Sequence, residues 1–396
     1  MAVTLTTYDQ ILKEQFLELL RNQVNTKSDM LYNMIKSSNK NIDAYKVIKS
    51  APYGINGGAG AGTESGALPT PGQNEYQKLT STTKNYYGQL AIGDKVMKAT
   101  KSNKGAFIDA LVSEMEGLKE ATKFIYGRDL YLDPTGILAS VATTMSLAGK
   151  TIVLNDTRHV IEGLTIDILD SADAYSAITN GSARRIVAVD RSANTITIGG
   201  DNTVTATDDC VIVTQNSYGN SLTGLKEIFK SSGNLYDVAR ATNPWLVPVL
   251  DSSFGAISDS KIQAKIAEVE DFRGGEINYI GVSSDVEGFY MSYLEATRRN
   301  VNTMSVSGGY KAIAYKNIPM KRNRFLNAGT LDLLDTNKFT FHVLSDWDWI
   351  ANDNGAILHQ KAGYPSYVAS LAKYAELICD HPGGQCRNTG VTAAAN

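Results

Sequence analysis

Cysteine is scarce in this sequence, and long apolar runs are missing from it. The chain has 396 residues but only three cysteines. Their odd number and spacing match no disulfide framework, so we expect free thiols and a reducing compartment. No stretch approaches the roughly 18 uninterrupted apolar residues of a membrane-spanning helix. The N-terminus also lacks the basic and apolar segments of a secretory signal, so we expect a soluble protein made in a cytoplasm.

A strong net charge is missing as well. The formal net charge is −3, with 20% charged and 43% hydrophobic residues. This balance excludes a strong overall attraction to nucleic acid or to an anionic membrane, although it does not exclude a local basic face. The length and hydrophobic content favour a folded protein of two or three domains.

Glycine, in contrast, is concentrated in the stretch "YGINGGAGAGTESGALPTPG" at positions 53–72. A dinucleotide-binding fingerprint would need glycine where this sequence has Thr63 or Ser65, and a phosphate loop would need lysine after Gly62. No helix can begin directly at "ALPTPG", so no helix dipole would face a phosphate. We interpret the stretch as a backbone hinge with a stiffened exit. The hinge residues are Gly54, Gly57, Gly58, Gly60, Gly62, Pro69 and Pro71.

The segment at 74–100, "NEYQKLTSTTKNYYGQLAIGDKVMKAT", is rich in Thr, Tyr and Val. It predicts a long two-stranded ribbon. An isolated ribbon is marginally stable in water, so this one should lean on another surface, such as a second copy of the protein. Its charged residues either solvate an exposed edge or pair with a neighbouring subunit at about 0–1 kcal/mol per pair. They are Glu75, Lys78, Lys84, Asp94, Lys95 and Lys98.

Apolar residues three and four apart predict helices at several places. The helical segments are 7–24, 104–126, 257–272 and 285–299, and Gly127 should end the second of them. The segment "NIDAYKVIKSAPYG" predicts an extended strand that stops at Pro52. The last apolar segment, "SYVASLAKYAELICD", is interpreted as a helix or as a helix that runs into a strand.

Between 137 and 222 the pattern changes to short β-rich runs such as "LTIDIL", "RRIVAVD" and "CVIVTQ", separated by Gly, Asn and Asp. This spacing is typical of a small all-β barrel or sandwich. Helical sequence resumes at "GLKEIFKSS", so the β-rich segment reads as an insertion that should fold alone.

Motifs for chemistry fail on particular residues. Cys379, His381 and Cys386 offer three zinc ligands, with His359 as a distant fourth, but the paired spacing of a structural zinc site is absent. Asp346, Asp348 and Asp353 do not fit a calcium loop, because the first and last ligand positions of that register are Ile350 and Lys361. No nucleophile or metalloprotease motif is present. The sequence therefore predicts no catalytic, cofactor or metal site.

The order of these parts resembles the major capsid protein of tailed bacteriophages. The resemblance starts with a helical arm, "YGINGGAGAG", "GALPTPG", a ribbon and a long helix. It continues through "NPWLVPVLD", "GGEINYIGVSSDVEGFYMSYLEATRR", "IPMKRNRFLNAGTLDLLD" and "WDWIANDNGAIL". It covers nearly the whole chain, through the order of loosely matching motifs.

The resemblance implies an α+β chain with the Hong Kong 97-type capsid fold. Its parts would be an N-terminal arm (1–53), an extended loop built as a β ribbon (54–100), a peripheral domain with a spine helix (101–136), a β-rich insertion domain (137–223), a mixed axial domain (224–363) and a C-terminal segment (364–396).

The implied function is structural and non-catalytic. Such a protein assembles with itself into hexamers and pentamers of an icosahedral head, in the virion, after synthesis in the cytoplasm of a bacterial host. Its partners would be portal, scaffolding and decoration proteins, with double-stranded DNA bound non-specifically on the inner face, and no membrane. Two alternatives stay open: the shell of an encapsulin-like nanocompartment, and a carbohydrate-binding protein or hydrolase with a β-rich module.

Overall fold

The computed structural model describes residues 30–95, 104–145, 147–297, 303–306, 310–351 and 356–394. The helix predicted over 7–24 lies outside the described residues, as do Lys98 and Asp353.

Helices occupy the predicted places within the described chain, and their ends follow from local chemistry. The Ser258 side chain accepts a hydrogen bond from the Lys261 amide at the start of one helix, and Gly274 ends that helix with a left-handed φ of 67°. None of the described helices is long and apolar enough to span a membrane. The α-helices are α1 (Met30–Met34), α2 (Lys104–Asp129), α3 (Leu225–Ile228), α4 (Asp259–Arg273) and α5 (Ser284–Thr297).

Helix α2 runs past the glycine that was expected to end it. It continues through Gly127 to Asp129. Arg128 and Asp129 are 1% and 2% exposed, and they pair at 2.9 Å. The Tyr86 hydroxyl also donates to Asp129 at 3.0 Å. These buried contacts outweigh the roughly 1 kcal/mol penalty of a helical glycine, so the predicted end at Gly127 is wrong.

The strands form three large sheets and smaller pairings. The first half of the chain contributes β1 (Lys36–Ser38), β2 (Ile42–Asp43), β3 (Lys46–Gly54), β4 (Glu75–Thr82), β5 (Lys84–Gly93), β6 (Ile137–Ser140), β7 (Thr151–Val153), β8 (Thr165–Asp170), β9 (Ser176–Ala177), β10 (Arg184–Asp190), β11 (Thr195–Ile198) and β12 (Cys210–Thr214). The second half contributes β13 (Asn234–Leu235), β14 (Val238–Ala239), β15 (Val249–Asp251), β16 (Gly255–Ala256), β17 (Tyr279–Val282), β18 (Thr303–Val306), β19 (Tyr310–Tyr315), β20 (Ile318–Arg322), β21 (Leu331–Leu334), β22 (Phe339–Trp349), β23 (His359–Gln360), β24 (Ser366–Cys379), β25 (Cys386–Asn388) and β26 (Val391–Thr392).

The ribbon uses different strands from those predicted. Strands β4 and β5, both fully described, do not pair with each other: β4 pairs antiparallel with β3, and β5 pairs with β24. Only Thr83 separates β4 from β5, and one residue cannot close a hairpin. The predicted ribbon within 74–100 is therefore wrong, as is the strand end at Pro52. The expected boundary at residue 53 falls inside the β3–β4 hairpin.

The central sheet is built around the long strand β24. Its order is β1-β22-β24-β23, with β5 also paired to β24. Because β22 and β5 lie on either edge of β24 and both of its faces are largely covered, nine of its 14 positions are buried and none is exposed. The helix predicted for this segment is therefore wrong, since long-range pairing overrides the local apolar spacing.

The β-rich segment forms a sheet of its own. Its strands pair antiparallel in the order β6-β12-β8-β10-β11-β7, with β9 beside β8. The buried core beneath runs from Leu132 to Ile212. The predicted all-β structure is confirmed, and we call residues 132–222 the β-rich unit.

The third large sheet is mixed, in the order β15-β25-β21-β17-β20-β19-β18. Its core is shared with Ile262, Ile266 and Val269 of α4 and with Tyr290 of α5. Strand β25 comes from the C-terminal end of the chain, whereas β22 leaves this region for the central sheet. The expected boundary at residue 363 therefore does not coincide with a sheet boundary.

Candidate functional site

The body of the β3–β4 hairpin lies on its own chain. Val47 and Leu79 are both 0% exposed and belong to the main core. Lys49 Nζ meets Asp380 Oδ2 at 2.5 Å. Near the far end, the rings of Tyr53 and Trp245 stack with centroids 5.7 Å apart. These contacts anchor the hairpin as far as Gly54.

Beyond Gly54 the chain extends into solvent. Nearly every residue of the segment 55–74, which we call the tip, is exposed. Ile55 and Leu68 are 90% and 89% exposed, which makes them two large apolar side chains without cover. At the base of the tip, the Asn56 amide donates to Asn74 Oδ1 at 3.0 Å. The tip is therefore attached at a defined place and presents apolar area outward.

The predicted hinge residues lie at the distal connection of the hairpin, inside the ribbon and not before it. A Cβ added at Gly58 would meet the Gly72 amide nitrogen at 2.9 Å, so close backbone approach requires glycine there. Around Gly57 and Gly62 such a Cβ would meet nothing within 4 Å. Sterics alone explain only some of the glycines, and the hinge role stays a prediction.

The charged contact candidates separate into two groups. Glu75, Lys78 and Lys95 are exposed. Lys84 is committed to its own chain, since its Nζ donates to the Gly219 carbonyl at 3.2 Å. Asp94 begins the segment after β5, where its amide donates to the Pro365 carbonyl. The first group is exposed to solvent and its contact role stays a prediction, whereas Lys84 helps to hold β5 against the β-rich unit.

A buried polar seam joins the end of the β-rich unit to the central sheet. The Thr223 amide donates to Glu376 Oε1 at 3.0 Å, and the Leu222 amide donates to the Tyr86 hydroxyl at 3.1 Å. Glu376 is 0% exposed, and its Oε2 has no hydrogen-bond partner among the described residues. Burial raises the pKa of this carboxyl to about 7. The seam therefore carries a carboxyl group that is about half protonated near neutral pH.

The thiols are not arranged to bind metal. Cys379 and Cys386 belong to two different cores. Burial raises the pKa of the Cys379 thiol and that of Cys386 to about 12. Within the described ranges no three His, Cys, Asp or Glu side chains are grouped as metal ligands.

Sequence reasoning missed a group of arginines between the β-rich unit and the segment after β20. Arg158 and Arg191 come from the β-rich unit, and Arg324 follows β20. Beside them His159 is buried, and burial together with the charges of Arg128 and Arg158 lowers its pKa to about 3. The basic run "MKRNRF" was a visible signal for Arg324, but nothing local marks the other two.

No known family model matches this sequence, and no curated protein matches it. Among solved structures, a chain of the cyanophage A-1(L) capsid asymmetric unit matches with a TM-score of 0.54. The match covers 91% of each chain at 12% sequence identity. This chain shares its fold with a phage capsid chain.

Two further structures match less well. The capsid of the native GTA particle has a TM-score of 0.47 at 10% identity, covering 93% of this chain and 91% of that one. The holo-SrpI encapsulin complex from Synechococcus elongatus also has a TM-score of 0.47, at 8% identity, covering 94% and 91%. Scores below 0.5 do not establish a shared fold, so the α+β capsid architecture rests on the cyanophage chain.

Proposed function

We propose that this chain is a major capsid protein of a tailed phage. Copies of it would assemble into hexamers and pentamers of an icosahedral shell around double-stranded DNA. The observation that carries the proposal is the fold shared with the cyanophage capsid chain over 91% of both chains. The shell would be the virion capsid, assembled in the host cytoplasm, and the chain would have no catalytic role.

The tip supplies a physical route to assembly. Ile55 and Leu68 each stabilise an interface by about 1.5–3 kcal/mol when a neighbour buries them. The hairpin body is already anchored by Val47, Leu79 and the Lys49–Asp380 pair. The hairpin body is therefore ordered before it binds a neighbour, so its binding costs little conformational entropy. Many such modest contacts sum over a closed shell.

The finer parts of the proposal follow the Hong Kong 97-type arrangement. The hairpin with its tip would be the extended loop, α2 the spine helix, and the mixed sheet with α4 and α5 the core of the axial domain. The β-rich unit would be an insertion on the outer surface, available to decoration proteins. Portal and scaffolding proteins would complete the assembly.

Electron microscopy of the purified chain, alone and with a candidate scaffolding protein, tests the proposal. Rings, tubes or shells support it, and protein that stays monomeric under every condition contradicts it. Shells that hold protein cargo in place of DNA would point instead to a nanocompartment.

A tip variant tests the route. Replacing Ile55 and Leu68 together by Asp should abolish shells while the monomer stays folded by circular dichroism. The matched control is Val187→Asp, at a 61% exposed position in the β-rich unit, which should assemble normally. Equal loss of shells in both variants would contradict a specific role for the tip.

The hinge prediction needs glycines that sterics do not explain. Gly57→Ala with Gly62→Ala adds methyl groups in open space, so reduced assembly would report lost backbone freedom. Unchanged shell yield would contradict the hinge role. The close backbone approach at Gly58 would then be the remaining reason for glycine in this stretch.

A further inference from the structure

Three arginines converge where the loop between β7 and β8 meets the segment between β20 and β21. Arg191 fixes that loop, with Nη1 donating to the Thr157 carbonyl at 2.9 Å and Nη2 to the Val160 carbonyl at 3.3 Å. Arg158 lies between those two residues, and its Nη1 donates to the Leu326 carbonyl. The hydrogen bonds therefore place Arg158 and Arg191 beside Arg324.

Each guanidinium group in this cluster is held in place before any ligand arrives. The Arg324 guanidinium carbon lies over the Phe124 and Phe325 rings, 4.9 Å and 5.3 Å from their centroids. Arg191 is fixed by its two carbonyl acceptors, although both side chains are otherwise exposed. Planar guanidinium groups that are already oriented lose little entropy when they bind an oxyanion.

The charge of the cluster is not balanced. Arg158 pairs with Asp156 at 3.2 Å. Across the part of the chain that the structure describes, no carboxylate lies within ion-pair distance of Arg191 or Arg324. Partial desolvation, and then the charge of Arg191, lower the pKa of Arg324. Burial, and then the charges of Arg128 and Arg158, lower the pKa of His159 beside the cluster. Oriented like charges without a counter-ion create a positive potential that attracts anions.

We propose that Arg191 and Arg324, with Arg158 beside them, bind a phosphate group. Two or three guanidinium forks present more N–H donors than the two oxygens of one carboxylate can accept, whereas a phosphate offers more oxygens in a compact group. The Arg191 and Arg324 side chains are exposed, so an anion can reach them from solvent. The source is either free inorganic phosphate or a nucleic-acid backbone, and the proposal does not depend on where the β-rich unit lies in a shell.

The test measures binding to the full-length chain before assembly. Inorganic phosphate is titrated by calorimetry at constant ionic strength, with chloride as the exchanged anion, and a short DNA duplex is titrated by fluorescence anisotropy. Arg191→Gln and Arg324→Gln should each weaken binding roughly 10- to 100-fold, the range for a lost charge-assisted hydrogen bond. Arg324→Lys, which keeps the charge but not the fork, should fall between wild type and Arg324→Gln.

The matched control is Arg322→Gln. Arg322 is two residues away, exposed, and 3.7 Å from Glu287, so its loss removes the same charge without touching the cluster. Binding kept in this control and lost in the cluster variants supports the site. If the chain binds both ligands, or phosphate alone, free phosphate is a source of the bound group. If it binds the duplex alone, the site is assigned to nucleic acid.

Three results would overturn the proposal. The first is that the wild type binds neither ligand. The second is that Arg322→Gln weakens binding as much as the cluster variants do. The third is that the cluster variants change only the self-association of the protein in phosphate-free buffer. The last result would assign the arginines to a carboxylate of a second copy. Because the assay uses unassembled protein, a failure to form shells would count against the capsid function and not against this site.

Discussion

The β-rich unit and the β3–β4 hairpin are both β structure, but they are stabilised in different ways. The β-rich unit buries a core of its own beneath one sheet, with Ile152, Ile168 and Ile196 all 0% exposed. The hairpin has no separate core, and its buried residues Val47 and Leu79 belong to the main core. One region can therefore be stable by itself, whereas the other depends on what it lies against.

The difference bears on what each region can do in an assembly. A unit with its own sheet and core can change its exposed surface without disturbing the rest of the chain. A hairpin anchored at one end and exposed at the other couples the subunit's core to whatever covers the tip.

The largest expected effect is that one isolated fragment folds and the other does not. The isolated fragment 132–222 should fold, because its sheet and core are complete, whereas the fragment 36–95 should stay unstructured without β24 and the main core. Circular dichroism and a thermal melt of both fragments measure this. A β-rich fragment without a cooperative melt would remove the contrast between the two regions.

A core substitution in the hairpin should change the stability of the main body alone, by which we mean the chain outside the β-rich unit. Leu79→Ala should lower its free energy of unfolding by about 2–5 kcal/mol, the usual cost of emptying a buried leucine site. All three tryptophans lie outside 132–222, so tryptophan fluorescence during urea unfolding follows the main body, and calorimetry follows both regions.

The control for this substitution is Leu68→Ala, at the exposed tip, which should change stability by no more than about 0.5 kcal/mol. An equal shift of the β-rich transition in Leu79→Ala would show that the two regions unfold together.

The smallest expected effect concerns the buried polar seam between the β-rich unit and the central sheet. The folded pKa of Glu376, about 7, lies above its ordinary value of 4.5. The folded state therefore holds the proton to higher pH than the unfolded state. Stability falls as the pH rises from about 4.5 to 7, by up to ~3 kcal/mol in total. Glu376→Gln keeps the acceptor for the Thr223 amide and cannot ionise. Its stability relative to that of the wild type should therefore be higher at pH 8 than at pH 5.

Denaturant unfolding at both pH values measures the difference between the variant and the wild type. That difference also cancels the contribution of His159, whose lowered pKa has the opposite sign because it removes stability as the pH falls from 6.5 towards about 3. Glu270→Gln, at an exposed position of α4, should leave the pH profile unchanged. A wild-type profile parallel to that of Glu376→Gln would contradict the role of this carboxyl.

Local sequence signals were sufficient for the β-rich unit and for the places of α2, α4 and α5. Its turns contain residues that tolerate a left-handed backbone, such as Asn180 and Asn194 with φ of 59° and 50°, and they separate runs that alternate in polarity. Helix α4 likewise has its serine cap and its glycine end in the sequence.

Long-range pairing could not be predicted from local signals. Ala369, Ala372 and Ala375 recur every three residues, as on a helix, yet all are buried in β24 because strands from distant parts of the chain flank it. The predicted partner of β4 is wrong for the same reason, because β3 and β24 lie outside the segment that was read as one ribbon. The arginine cluster depends on two loops meeting, which no local pattern encodes.

The pairing of β5 with β24 sets an order of events during synthesis. Gly93 lies opposite Ser366, so β5 leaves the ribosome long before its partner exists. At about 5–20 residues per second the interval is roughly 15 to 55 seconds. The β-rich unit, whose strand pairing and core lie within its own segment of the chain, can fold within that time. Strands β24 and β25 are made after the β-rich unit, and they then close two of the three large sheets.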